Sequence, residues 1–161
     1  MTYFAAVVTR SGHRWRTAEA DLTGCESLAD LGDIVGDTVG DVRLLLIEQD
    51  DEYAAIVRLD AGDDEPRAFL TDGHSADAYP LAAVVAEELT EIGTDDLADD
   101  EDAPPAHDSA PFGDAGIVAD LGTDADGLLA LCEHEGTLPV DVLFAVCEKA
   151  GCGEAFEELR G

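Results

Sequence analysis

The sequence predicts an α+β fold: a mostly antiparallel sheet in the order ββαβββα, followed by a small helical C-terminal unit. Three observations carry this. Short apolar or alternating runs near residues 3–20, 42–48, 53–59 and 67–71 are separated by polar or glycine-containing turns, the pattern of hairpin-linked strands. Two segments, near 28–35 and 81–89, instead repeat their apolar residues at three- and four-residue spacing, as amphipathic helices do. Beyond an acidic, proline-containing stretch at 94–113, only helical spacing returns.

Tyr3–Thr9 is apolar and β-branched, Ser11-Gly12-His13 supplies a turn, and Arg14–Ala20 continues with alternation, which predicts a hairpin. Ser27 followed three residues later by Asp30 is a capping-box pattern. Leu28, Leu31, Ile34 and Val35 then form one helical stripe, with Gly36 and Gly40 bracketing its end. Val42–Glu48 reads as a buried strand and Gln49–Glu52 as a polar turn. Tyr53–Leu59 puts Tyr53, Ala55, Val57 and Leu59 on one face, and after the acidic turn Asp60–Glu65 the last strand is Arg67–Thr71. Pro80, whose fixed φ suits a first helical position, opens a helix through Leu81, Val84, Val85 and Leu89 to Gly93.

The predicted organisation is therefore a sheet domain over 1–93, a linker over 94–113 and a short-helix unit over 114–161. Asp95, Asp96, Asp99, Asp100, Glu101 and Asp102 crowd ahead of Pro104-Pro105, and mutual repulsion with proline favours an extended chain. In the last unit, Thr123 and Asp126 form a second capping box before the stripe Leu128, Leu131 and Cys132, which Gly136 closes. Pro139 opens the next helix, with Leu143, Val146, Cys147 and Ala150 inward, and Gly151 to Gly153 break it. Ala155, Phe156 and Leu159 make a final amphipathic turn or two. About forty helical residues seldom hold a core by themselves, so this unit should dock on the sheet or on a partner.

Apolar residues make up 46% of the 161, enough for a core, while aromatics are only 6%, so Val, Leu, Ile and Ala must fill it. Acids outnumber bases 38 to 8, a formal charge of -30. Such a field repels phosphate backbones and anionic membranes and speeds encounter with basic surfaces. Direct nucleic-acid binding, which needs several Lys or Arg on phosphates, is not expected. The same acid excess is also what solubility, genome composition or adaptation to high salt would produce. Met1–Phe4 shows no basic leader ahead of an apolar segment, and the longest apolar run, near Val42–Ile47, is interrupted by Arg43. A cytoplasmic protein with no membrane contact is the expectation, and Cys25, Cys132, Cys147 and Cys152 should then be free thiols.

Residue types able to carry chemistry are present, but their spacing is not. Cys132, His134, Cys147 and Cys152 follow C-x-H-x12-C-x4-C, unlike the close ligand pairs of structural zinc sites, and Cys132 and Cys147 fall on apolar stripes. Asp124, Asp126, Gly127 and Glu133 match positions of a calcium loop, yet Gly122 stands where its first carboxylate belongs and the capping pattern makes the segment helical. No P-loop, no G-x-G-x-x-G, no G-x-S-x-G elbow, and neither the H-x-E nor the P-C-x-x-C element of zinc deaminases occurs. The expectation is a protein that is not an enzyme and takes no metal or cofactor. Arg10, Arg14 and Arg16 with His13 and Trp15 form the one basic-aromatic cluster; on a strand Arg14 and Arg16 share a face and Trp15 takes the other, toward the core. Arg14 and Arg16 are thus the candidate partner contacts, for an acidic protein surface or for phosphate.

Several segments together resemble the bacterial tRNA adenosine deaminase-associated proteins: Tyr3-Phe4-Ala5-Ala6, Asp50-Asp51-Glu52-Tyr53-Ala54-Ala55-Ile56-Val57-Arg58, Asp120-Leu121-Gly122-Thr123 through Leu128–Cys132, Leu138-Pro139 and Leu159. That family is named for the association of its genes with the deaminase converting adenosine to inosine at the tRNA wobble position. The resemblance implies a non-catalytic accessory protein with a tRNA adenosine deaminase as protein partner, and it supplies no catalytic residues. The alternative is a partner-binding or structural module unrelated to editing.

Overall fold

A computed structural model describes residues 3–62, 66–72, 79, 81–85, 111–133 and 137–160. Six strands, β1 (Tyr3–Ser11), β2 (Arg14–Glu19), β3 (Val42–Gln49), β4 (Tyr53–Arg58), β5 (Arg67–Leu70) and β6 (Phe112–Gly113), form one sheet in the order β2-β1-β3-β4-β5-β6. Every pairing is antiparallel. The helices are α1 (Leu28–Gly36), α2 (Ala125–Glu133), α3 (Pro139–Ala150) and α4 (Gly153–Arg160), with a 3-10 turn at Ala119–Leu121 and helical residues at 81–85. Among the described residues no helix is long and apolar enough to cross a membrane.

The sheet is covered on both faces. On one, Ala5, Val7, Leu45, Ile47, Ala55 and Val57 pack under Leu28, Leu31 and Val35 of α1 and under Ala82 and Val85. On the other, Ala6, Val8, Leu44, Leu46, Ala54 and Ile56 meet Ile117, Val118, Leu128, Leu143, Val146 and Phe156 from the C-terminal helices. Burial on two sides is why β3 and β4 read as almost unbroken apolar runs rather than alternating ones. It also satisfies the C-terminal unit, whose apolar stripes dock on the sheet face that α1 leaves open.

Local signals set most boundaries. Ser27 caps α1, its Oγ accepting the Asp30 amide at 3.2 Å, while the Asp30 carboxylate accepts the Glu26 amide at 2.9 Å. Arg43 donates to the carbonyls of Gly36 and Gly40, placing a cation at the C-terminus of α1. At α2 the cap differs from the expected one by a residue. Asp124, not Thr123, accepts the Gly127 amide at 2.8 Å, and the Thr123 hydroxyl is buried with no hydrogen-bond partner among the described residues. Ahead of α3, the Asp141 carboxylate takes the Leu138 amide at 3.1 Å, and Pro139 begins the first turn.

Two further differences concern the edges of the sheet. Phe112 and Gly113, at the end of the stretch composition marks as linker, pair with Leu70 and Phe69 as β6, so Arg67–Leu70 is not the last strand. Two residues are too few for a periodic signal. The expected helix start at Pro80, its continuation to Gly93, the acidic run and Gly136 lie outside the described residues.

The β3–β4 hairpin holds Asp50 and Asp51 at φ 55° and 58°, both in the left-handed region, with the Glu52 amide on the Gln49 carbonyl at 3.0 Å. Aspartate tolerates that region, but glycine after aspartate suits such a turn better. Asp51→Gly is therefore expected to stabilise the fold by about 0.5–1 kcal/mol, read from the urea midpoint. A lowered midpoint would contradict this account of the turn.

Candidate partner-contact surface and the buried arginine cluster

The β1–β2 hairpin turns at Gly12, whose φ of 65° the missing side chain permits. Its register sets Arg10 opposite Trp15 and Thr9 opposite Arg16. Trp15 packs toward the C-terminal helices and donates from Nε1 to the Ala150 carbonyl at 3.2 Å. The Arg10 guanidinium lies over its ring at 5.4 Å. Thr17, two residues on, donates from its hydroxyl to the Ala155 carbonyl at 3.3 Å. The indole ring is thus committed to packing, and a nucleobase has no open face to stack on.

Arg14 and Arg16 point the other way and are exposed. Other arginines are engaged: Arg43 on backbone carbonyls, Arg67 with Asp114 at 3.6 Å, Arg58 in a buried cluster. Arg14 and Arg16 have no ion pair among the described residues. In a chain of charge -30, they stand as two unneutralised cations on the edge strand.

A buried polar cluster that no local sequence pattern marks lies on the same sheet. Arg58, 2% exposed, lies among the apolar side chains of the sheet face that carries the C-terminal helices. Its Nε and Nη2 donate to the Asp60 carboxylate at 2.9 and 2.8 Å, and Nη1 and Nη2 to the two oxygens of Asp120 at 2.6 and 2.8 Å. Nη1 also donates to the Ile117 carbonyl at 2.7 Å. Burial opposes the charge, but the hydrogen bonds and fields of Asp120 and Asp60 outweigh it and hold Arg58 fully protonated. Arg58 in turn holds the Asp120 carboxyl below its ordinary value of 3.8. One guanidinium bridges both carboxylates, and the cluster fastens the 3-10 turn to the sheet.

The cysteines are packing residues. Cys147 and Cys152 are buried free thiols, joined where the Gly151 and Cys152 amides both donate to the Cys147 carbonyl at 2.9 and 2.8 Å. The Cys152 bond is the six-to-one closure that follows left-handed Gly151 at a helix end, an arrangement that commonly brings those two side chains together. The hydrogen bond with Cys152, and then burial, push the Cys147 thiol far up. Burial and the neighbouring Glu133 charge raise Cys132 to about 11, and burial raises Cys25. Cys25 and Cys132 are thus held as thiols at neutral pH while Cys147 and Cys152 are shielded by burial, so a disulfide reagent should label Cys25 and Cys132 slowly and leave Cys147 and Cys152 untouched until denaturant is added. Rapid labelling of all four in the native protein would contradict this packing.

An open cleft of about 210 Å³ between the β3–β4 turn and α2 and α3 gathers Asp51, Glu52, Asp72 and Cys132. Among the described residues no three His, Cys, Asp or Glu are grouped to hold a metal. Ala125–Glu133 is helical, so Asp126 and Glu133 cannot wrap a calcium ion; His134 lies outside the described residues.

Residues 3–153 match Rv3753c-like tRNA adenosine deaminase-associated protein, a span holding the hairpin, the arginine cluster and α3. The chain belongs to that family. Comparison with curated proteins and with solved structures returns no match. Of the residues that structure the family's segments here, Arg58 and Asp120 lie 62 apart in sequence, each inside a segment that carries the resemblance. Their shared place in those segments was the one sequence signal for the cluster.

Proposed function

We propose that the protein is a non-catalytic accessory factor that binds a tRNA adenosine deaminase and acts through its surface in wobble adenosine-to-inosine editing. The family match over residues 3–153 carries this reading. Its support is electrostatic: a body of charge -30 is drawn to the basic face that a tRNA-binding enzyme must present. Bound there, it would steer association or compete with tRNA. Arg14 and Arg16 are the contacts assigned to acidic groups of a protein partner, and the surrounding charge disfavours a direct role on nucleic acid. The cytoplasm, where tRNA is edited and thiols stay reduced, is the proposed location.

The test is affinity capture from cells at physiological salt, repeated at raised salt, with wobble inosine measured after deletion of the gene. Salt-sensitive recovery of the deaminase and altered inosine are expected. No deaminase and unchanged editing would overturn the reading, and a different stable partner would favour a module unrelated to editing.

A further inference from the structure

We infer that the outer edge of β2 is a docking site for an acidic, extended segment of a partner protein, which joins the sheet as a seventh strand. The register dictates which groups are available. The Ala20 amide donates to the Ala5 carbonyl at 2.9 Å, so residues at two-residue steps from Ala20, namely Ala18, Arg16 and Arg14, turn their backbone groups toward β1. Trp15, Thr17 and Glu19 turn theirs outward, each with one N–H and one C=O. Among the described residues these groups have no hydrogen-bond partner. An exposed row of this kind is a template for a further strand.

The edge is also held ready. Trp15 and Thr17 are tied to the carbonyls of Ala150 and Ala155, so β2 is fixed from one face and need not be ordered on binding. The other face presents Arg14 and Arg16. Beside it, the α1–β3 loop crosses over Thr9, the partner of Arg16, where a Cβ built at Gly40 would lie 3.1 Å from the Thr9 Cβ, and this loop carries Val39, 82% exposed.

Charge selects the occupant. A strand added beside β2 places alternate side chains next to Arg14 and Arg16, and carboxylates two residues apart match them. A second copy fits poorly: on that face β2 carries only Arg14, Arg16 and Ala18, so an in-sheet pairing of two copies sets arginine against arginine or alanine. Two bodies of charge -30 also repel.

The experiment uses the full chain and a short capped peptide alternating Glu and Thr, with a Lys-Thr peptide and a single-stranded RNA as comparison probes. Trp15, the only tryptophan, reports from the strand itself. Binding of the Glu-Thr peptide should change its emission saturably and slow hydrogen exchange at the amides of Trp15, Thr17 and Glu19. Arg14→Glu with Arg16→Glu should weaken binding at least about tenfold. Glu19→Pro, which removes an outward N–H without touching the β1 ladder, should weaken it while the melting temperature holds. No binding, equal binding of both peptides, preference for RNA, or binding without amide protection would overturn the inference, leaving the arginines as guards against edge pairing. The inference rests on the accessory reading only in supposing a protein partner. Failure of the peptide with the deaminase still captured removes this edge alone; peptide binding with no deaminase captured removes that reading alone.

Discussion

Arg58→Met should lower the unfolding free energy by about 3 kcal/mol, at the lower end of what breaking a buried charge pair costs. The lower end applies because Asp120, its side chain 60% exposed, can take water once the guanidinium is gone. Asp60, 22% exposed, and the Ile117 carbonyl recover less and bear most of the loss. Arg58→Lys keeps the charge but cannot reach both carboxylates with a planar fork, so about 1–2 kcal/mol should still be lost. Urea unfolding followed by circular dichroism measures both. A methionine variant within 0.5 kcal/mol of the parent, an order-of-magnitude threshold for surface changes, would show that the cluster holds nothing.

Acid should reproduce part of that loss. The Asp120 carboxyl has its folded value depressed by Arg58, so its contribution is complete above 3.8, the unfolded value, and disappears as pH falls through the lower folded one. The stability gap between the parent and Asp120→Asn should therefore be constant at neutral pH and narrow only below 3.8. A gap that closes between pH 5 and 8 would point to some other group.

What the sequence made legible follows from period and caps. Tyr53, Ala55 and Val57 share one face of a strand because successive side chains point to opposite sides, and the structure packs them with the α1 residues Leu28, Leu31 and Val35. Ser27 announces a helix start because its hydroxyl has a local task. The same reasoning placed Trp15 against the core and Arg14 and Arg16 in solvent, since side chains on one strand can only alternate. Illegible were features made by residues far apart. Nothing local tells that Arg58 will meet Asp120, because a lone arginine after an apolar run reads as a strand end, and only the docking of the 3-10 turn closes the cluster. The cap at Asp124 rather than Thr123 was equally hidden, since both residues are good caps and burial of the threonine decides between them.

Phe156→Ala should cost about 3–5 kcal/mol, the range for emptying a buried aromatic site. Its ring is fully buried and meets Phe4 at 5.7 Å and Phe144 at 5.0 Å, both edge to face. The helix that carries it has eight residues, too few to persist without packing. The loss therefore has two possible forms. If α4 remains docked, the whole protein is destabilised, and fluorescence and circular dichroism shift to one lower urea midpoint. If α4 releases first, Thr17 loses its Ala155 partner while Trp15 keeps its bond to Ala150 at the end of α3, so β2 is pinned at one point instead of two and Trp15 emission changes before the sheet unfolds. Either result identifies Phe156 as the anchor of α4, whereas a cost below about 1 kcal/mol with unchanged emission would refute it. The second form has a functional consequence: a β2 held at Trp15 alone must be ordered further by its ligand, so the Glu-Thr peptide should bind Phe156→Ala more weakly although no residue it touches has changed.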